Sequence, residues 1–152
     1  MSQAYNIVRI KGKIIDNIGF ILYYLKGETI LKFEVEFYET ADGNQPARNF
    51  LLSLDKKMRA KMSHMIILLQ DNGFELREPY SKHLGNGLFE LRAKIGSDIS
   101  RIIYFFYIGR RIILTNGYIK KSQKTPVREI ERAQRYRSDY LKRKEGTNER
   151  QI

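Results

Sequence analysis

Two glycine turns, Gly96-Ser97 and Gly109-Arg110, constrain this chain most, because they set which residues of three consecutive β-rich runs stand opposite one another. The runs cover about 87–95, 98–108 and 111–120. With Gly96-Ser97 as a two-residue loop, Ile95 faces Asp98 and Arg92 faces Arg101. Gly109-Arg110 suits a type II′ turn with Gly at its first position, and Arg101 then faces Tyr118. Lys120 lies on the same face, two residues along. Two cations directly opposite each other destabilise a sheet. The row Arg92–Arg101–Tyr118 therefore predicts an anion between them, and the planar fork of Arg suits phosphate. Glu90, on the same face, offers a second resolution: paired with Arg101, it makes the row an ordinary charge ladder.

The runs before and after this meander define the rest of the domain. Leu31-Lys32-Phe33-Glu34-Val35-Glu36-Phe37-Tyr38 alternates and predicts a strand, with Leu31, Phe33, Val35 and Phe37 on one face. Asp42-Gly43-Asn44 reads as a turn. Pro46 suits the first turn of a helix running to about Leu54. Asp55 can cap a second helix, Lys56 to Asn72, with Gly73 as its stop. On that helix Met58, Met62, Met65, Ile66 and Leu69 recur at helical spacing and predict core, whereas His64 lies off the stripe. Glu75 to Ser81 reads as a loop around Pro79. A last helix starts near Pro126, with Val127, Ile130, Ala133, Gln134, Arg137 and Leu141 on its inner stripe. Residues 145–152 are polar and read as a tail. The order β-α-α-β-β-β-α predicts an α+β fold: a small twisted antiparallel sheet with two N-terminal helices packed on it and a C-terminal helix.

Residues 1–30 fit none of this. They mix β-formers with Gly12, Gly19 and Gly27 and show no amphipathic period. They read either as an extra hairpin or helix or as a translated leader. Lys26-Gly27-Glu28 can be encoded AAA-GGA-GAA, a bacterial ribosome-binding site, and Leu31 can be TTG, an alternative start codon.

Charge narrows the partner. Lys plus Arg number 28 against 17 Asp plus Glu, a net charge of +11. From Lys120 to Lys144 there are ten Lys or Arg and three acids. Such a balance points to a polyanion. The chain has no Cys, which excludes a disulfide scaffold, a thiolate nucleophile and Cys-ligated zinc. The apolar run Ile18 to Leu25 falls far short of the ~20 residues a membrane helix needs. A reducing, cytoplasmic setting without membrane contact is the expectation.

Carboxylates at metal-ligand spacing are absent from the sequence, so two-metal nuclease chemistry is not expected, and no cofactor is implied. RNA can still be cut without metal, because its 2′-hydroxyl is a built-in nucleophile. The protein must withdraw that proton, stabilise charge building on the phosphate and protonate the leaving 5′-oxygen. Arg92 and Arg101 suit the second task. Lys82, His83, Tyr118, Lys120 and Lys121 are candidates for the other two. A Lys crowded by like charges is the better base.

Several strings occur together in order: Leu84 and Gly87-Leu88-Phe89-Glu90-Leu91-Arg92; Arg101-Ile102-Ile103-Tyr104; Tyr118-Ile119-Lys120-Lys121; and Lys124-Thr125-Pro126 with Glu129-Ile130 and Ala133. Together they resemble the phage-derived, HigB-like branch of the RelE/ParE toxin superfamily, over about residues 31–143. The resemblance implies a toxin domain over 31–144, a sheet with helices on one side, and a toxin of a type II toxin–antitoxin system. Such toxins commonly enter the ribosomal A site and cut mRNA, and their partner is a helix-turn-helix antitoxin. By position, the implied catalytic residues are Lys82, Arg92, Arg101 and Lys120 (or Lys121). His83, Tyr118, Lys121 and Lys124 are the expected further contacts to RNA phosphate. The C-terminal Asp-His pair of some HigB toxins and the catalytic Tyr of RelE proper are missing, which leaves the general acid unassigned. On this reading Arg92→Ala and Arg101→Ala should each relieve toxicity and leave the fold intact. A ParE-like gyrase inhibitor and a non-catalytic basic nucleic-acid-binding module are the alternatives.

Overall fold

A computed structural model of the chain describes residues 33–121 and 124–150. Before them it describes only the backbone of the two-residue strands Tyr5–Asn6, Arg9–Ile10, Lys13–Ile14 and Leu22–Tyr23. The expected extension over 1–30, and its interpretation as a leader, otherwise lie outside the described residues. The elements from residue 34 onward are β1 (Glu34–Phe37), α1 (Pro46–Ser53), α2 (Lys56–Asn72), a 3-10 turn (Gly73–Glu75), β2 (Ser81–Gly85), β3 (Leu88–Ile95), β4 (Asp98–Tyr107), β5 (Arg111–Ile119) and α3 (Val127–Arg150).

The helices form where their start and stop chemistry predicts. Pro46 opens α1, and the Asp55 carboxylate accepts from the Met58 amide, 2.9 Å, at the start of α2. The Met stripe of α2 is core: Met58, Met62, Met65, Ile66 and Leu69 are all buried. Helix α3 runs past Glu145, through Arg150. Its inner face keeps most of the expected stripe: Ala133 is buried and Ile130 and Leu141 pack beside it, joined by Tyr136 and the buried Tyr140, while Val127 is exposed.

These five strands lie in the order β1-β5-β4-β3-β2, and Arg9–Ile10 extends the sheet beyond β1, with Ile10 opposite Val35. The sheet is mixed rather than wholly antiparallel, because β1 runs parallel to β5. A hairpin would force antiparallel pairing. Two helices separate β1 from the meander, so no such constraint applies. Strand β2 was not legible either: Lys82 and His83 interrupt any alternation, and the strand pairs antiparallel along the edge of β3. Its register sets Lys82 opposite Glu90 and His83 opposite Phe89.

Both faces of the sheet are covered, where helices on one side were expected. Val35, Leu91, Ile102 and Leu114 pack against α1 and α2. Their neighbours Leu88, Ile103, Phe105 and Ile113 face α3. Adjacent strand residues point to opposite faces, so the apolar pairs Ile102-Ile103 and Tyr104-Phe105 require a helix on each side.

The register of β4 on β5 holds a compensation. The second hairpin loop has three residues, Ile108, Gly109 and Arg110, since Tyr107 pairs with Arg111. Gly109 and Arg110 both have positive φ, +78° and +57°, which the expected type II′ turn would not give. A bulge at Thr115 then restores the pairing by one residue, so Ile103 meets Asn116 and Arg101 meets Tyr118. The Thr115 hydroxyl donates to the Ile103 carbonyl, 2.9 Å, and occupies a group the bulge would otherwise strand.

Gly117 sits where β5 meets α1. A Cβ there would stand 2.1 Å from the ring of Phe50. Gly117→Ala is expected to destabilise the fold by about 1–3 kcal/mol, the usual cost of overpacking, seen as a lower urea midpoint. An unchanged midpoint would mean that α1 yields freely at this contact.

Candidate active site

Helix α3 covers the Leu88–Ile103–Phe105 end of its sheet face and leaves the far end of β3, β4 and β5 open. There the register places Arg92 opposite Arg101 and Arg101 opposite Tyr118, with Ile95 opposite Asp98 at the turn. The Lys120 amide continues the ladder one residue past β5, donating to the Ile99 carbonyl, 2.9 Å. A cleft of about 300 Å³ opens here, lined by Lys61, Met65, Pro79, Tyr80, Arg92, Lys94, Ile99, Arg101 and Lys120. Five of these nine are cations and none is acidic, so the lining of the cleft is electropositive.

Beneath the cations lies Glu90, fully buried. Its Oε1 accepts from Arg101 Nη1 and from Arg92 Nε, the latter 3.3 Å away. Its Oε2 accepts from the Tyr118 hydroxyl and from Thr125 Oγ1, 2.6 Å, just before α3. The anion that the Arg92–Arg101 pair asks for is thus supplied from within. Its position two residues before Arg92 on one strand was the signal for it. Arg101 is 1% exposed, and its buried Nε has no hydrogen-bond partner. The Arg92 side chain is 19% exposed, so Arg92 can reach a ligand and Arg101 can act on one mainly through its field.

The remaining site residues divide by face and exposure. Lys120 is half-buried, and its pKa is lowered by partial burial first, then by the charges of Arg101 and Arg92. Lys82 adds to that lowering and Glu90 opposes it. The Tyr118 phenol is held protonated: burial raises its pKa, and so does its bond to Glu90. Its hydroxyl is committed to that carboxylate. Lys82 is exposed, opposite Glu90. His83 is exposed but turns to the other face with Phe89, their rings 4.8 Å apart, and so is not brought to the cleft. Lys121 and Lys124 are exposed beyond β5. Lys61, Lys94, Tyr80 and Thr125 were missed. Lys94 is two residues from Arg92 and could have been found by alternation. Lys61 and Tyr80 arrive from other elements and gave no local signal.

A small basic α+β domain, with helices packed on a five-strand mixed sheet and a helix at its C-terminal end, is compatible with a RelE-like fold. The chain belongs to the phage-derived protein Gp49-like family (DUF891), whose model matches residues 49–138. That is a RelE/HigB-like family, generally toxins of toxin–antitoxin systems, which implies an antitoxin partner. Among curated proteins none matches the chain. Among the described residues, no helix is long and apolar enough to cross a membrane.

Proposed function

We propose that this chain is the toxin of a type II toxin–antitoxin pair and that it cuts mRNA at the ribosome without a metal. The observation that supports this best is Lys120 standing in one cleft with Arg92 and Arg101, its ammonium form disfavoured by burial and by their charges. In this reading Arg92 binds the scissile phosphate and Arg101 adds positive field from behind. Neutral Lys120 takes the 2′-hydroxyl proton, and the 2′-oxygen attacks phosphorus. The bond to the 5′-oxygen breaks, and Lys82, an exposed ammonium opposite Glu90, protonates it. The products are a 2′,3′-cyclic phosphate and a 5′-hydroxyl. Lys121 and Lys124 hold flanking phosphates. The partner is a helix-turn-helix antitoxin, and the setting is the cytoplasm.

Inducible expression followed by mapping of mRNA 5′ ends, with and without the neighbouring gene, tests the reading. Cuts at codon positions that vanish with the antitoxin are expected. A DNA-damage response with intact mRNA would instead support a ParE-like inhibitor, a reading favoured by the fact that Arg101 is already paired with Glu90. The cleavage rate should also rise with pH, because only neutral Lys120 is a base. It should level off below the ~10.4 of an ordinary lysine, because the shift is downward. In Lys120→Arg that rise should disappear; an unchanged profile would exclude Lys120 as the base.

A further inference from the structure

We infer that Glu90 is a positioning residue of this cleft: its buried carboxylate holds Arg92, Arg101 and Tyr118 in one row and ties Thr125, at the threshold of α3, to the sheet. The activity arm of the inference rests on the nuclease reading above; the geometry does not.

An ionised carboxylate is costly to bury. Leu88, two residues earlier on the same face, is apolar and fully buried. Glu90 is buried nonetheless, and its roughly four acceptor sites meet four donors from three strands and one loop. Oε1 takes the two guanidinium groups, and Oε2 takes the two hydroxyls. One side chain therefore fixes the orientation of both arginines relative to Lys120. It also partly offsets the positive charge that Lys120 experiences. Arg92 and Arg101 face Lys120 from the sheet, Lys82 from β2, and Lys61 and Lys94 line the same cleft; Glu90 is the carboxylate that opposes them.

The test compares the wild-type chain with Glu90→Gln and Glu90→Asp. Each is measured for single-site mRNA cleavage in a reconstituted translation reaction, with kcat and KM separated. Lys120 is titrated independently by NMR of reductively ¹³C-methylated protein, assigned with Lys120→Arg. Glu90→Gln should lower kcat by about tenfold to a hundredfold at nearly constant KM, the pattern of lost orientation. It should also move the Lys120 titration and the pH–rate midpoint to lower pH. Glu90→Asp keeps the charge without the reach: Lys120 should titrate near its wild-type value while kcat stays low. Wild-type kcat together with an unmoved Lys120 titration in Glu90→Gln would overturn the inference. If the wild-type chain cuts no mRNA, the nuclease reading fails, and the Lys120 titration still decides the role of Glu90. Should Glu90→Gln not fold, Tyr118→Phe and Thr125→Val each remove one donor to Oε2. Both should then lower kcat several-fold with KM unchanged, and wild-type kcat in both would overturn the inference.

Discussion

Replacing Arg101 with Ala is expected to lower the free energy of unfolding by about 3–5 kcal/mol, the cost of leaving a buried charge without its partner. Arg101 is 1% exposed and Glu90 is fully buried, so both charges depend on each other rather than on bulk water in the intact fold. Glu90 keeps Arg92, Tyr118 and Thr125, which places the effect toward the lower end of that range. Urea unfolding followed by circular dichroism measures it. The double variant Glu90→Gln/Arg101→Met should recover more than half of the loss, since neither residue then carries a buried charge. A wild-type midpoint for Arg101→Ala would show that the pair contributes nothing. The burial of this pair weighs against the expectation that Arg101→Ala leaves the fold intact, so loss of toxicity in that variant does not by itself report on chemistry.

Arg92→Ala separates chemistry from folding. Its side chain reaches the cleft surface, and its bond to Glu90 is long, 3.3 Å, so removing it should cost less than about 1 kcal/mol of stability. The cleavage rate should nevertheless fall about a hundredfold, the ~3 kcal/mol typical of a lost charged contact to a developing oxyanion. Single-turnover cleavage in a reconstituted translation system reads this directly. Arg92→Lys keeps the charge but loses the planar fork, and an intermediate rate is expected. A wild-type rate for Arg92→Ala would place the phosphate elsewhere on the surface.

The sequence already held the row of the site. Alternation and two glycine turns placed Arg92, Arg101, Tyr118 and Lys120 on one face, and the register agrees at every one of these pairs. Part of that agreement comes from two offsets that cancel. The second loop is one residue longer than a two-residue turn, and the bulge at Thr115 removes the difference. A local pattern can show neither. Turn length follows from how the strands twist together, and the bulge follows from how β5 packs between β1 and β4.

What the sequence by itself determined was whatever depends on near neighbours along the chain: the caps and apolar stripe of α2, the alternation of β3 to β5, and the basic charge. Only the tertiary structure decided the rest. It put β1 parallel beside β5, α3 on the face opposite α1 and α2, and His83 on the far side from Arg92. It also gave the Arg92–Arg101 pair a carboxylate from within, whose remaining acceptor sites are filled by Tyr118 and Thr125 from elements far along the chain. A charge ladder and an anion site look alike in one dimension. They differ in burial, and burial is set only when separate segments close over one another.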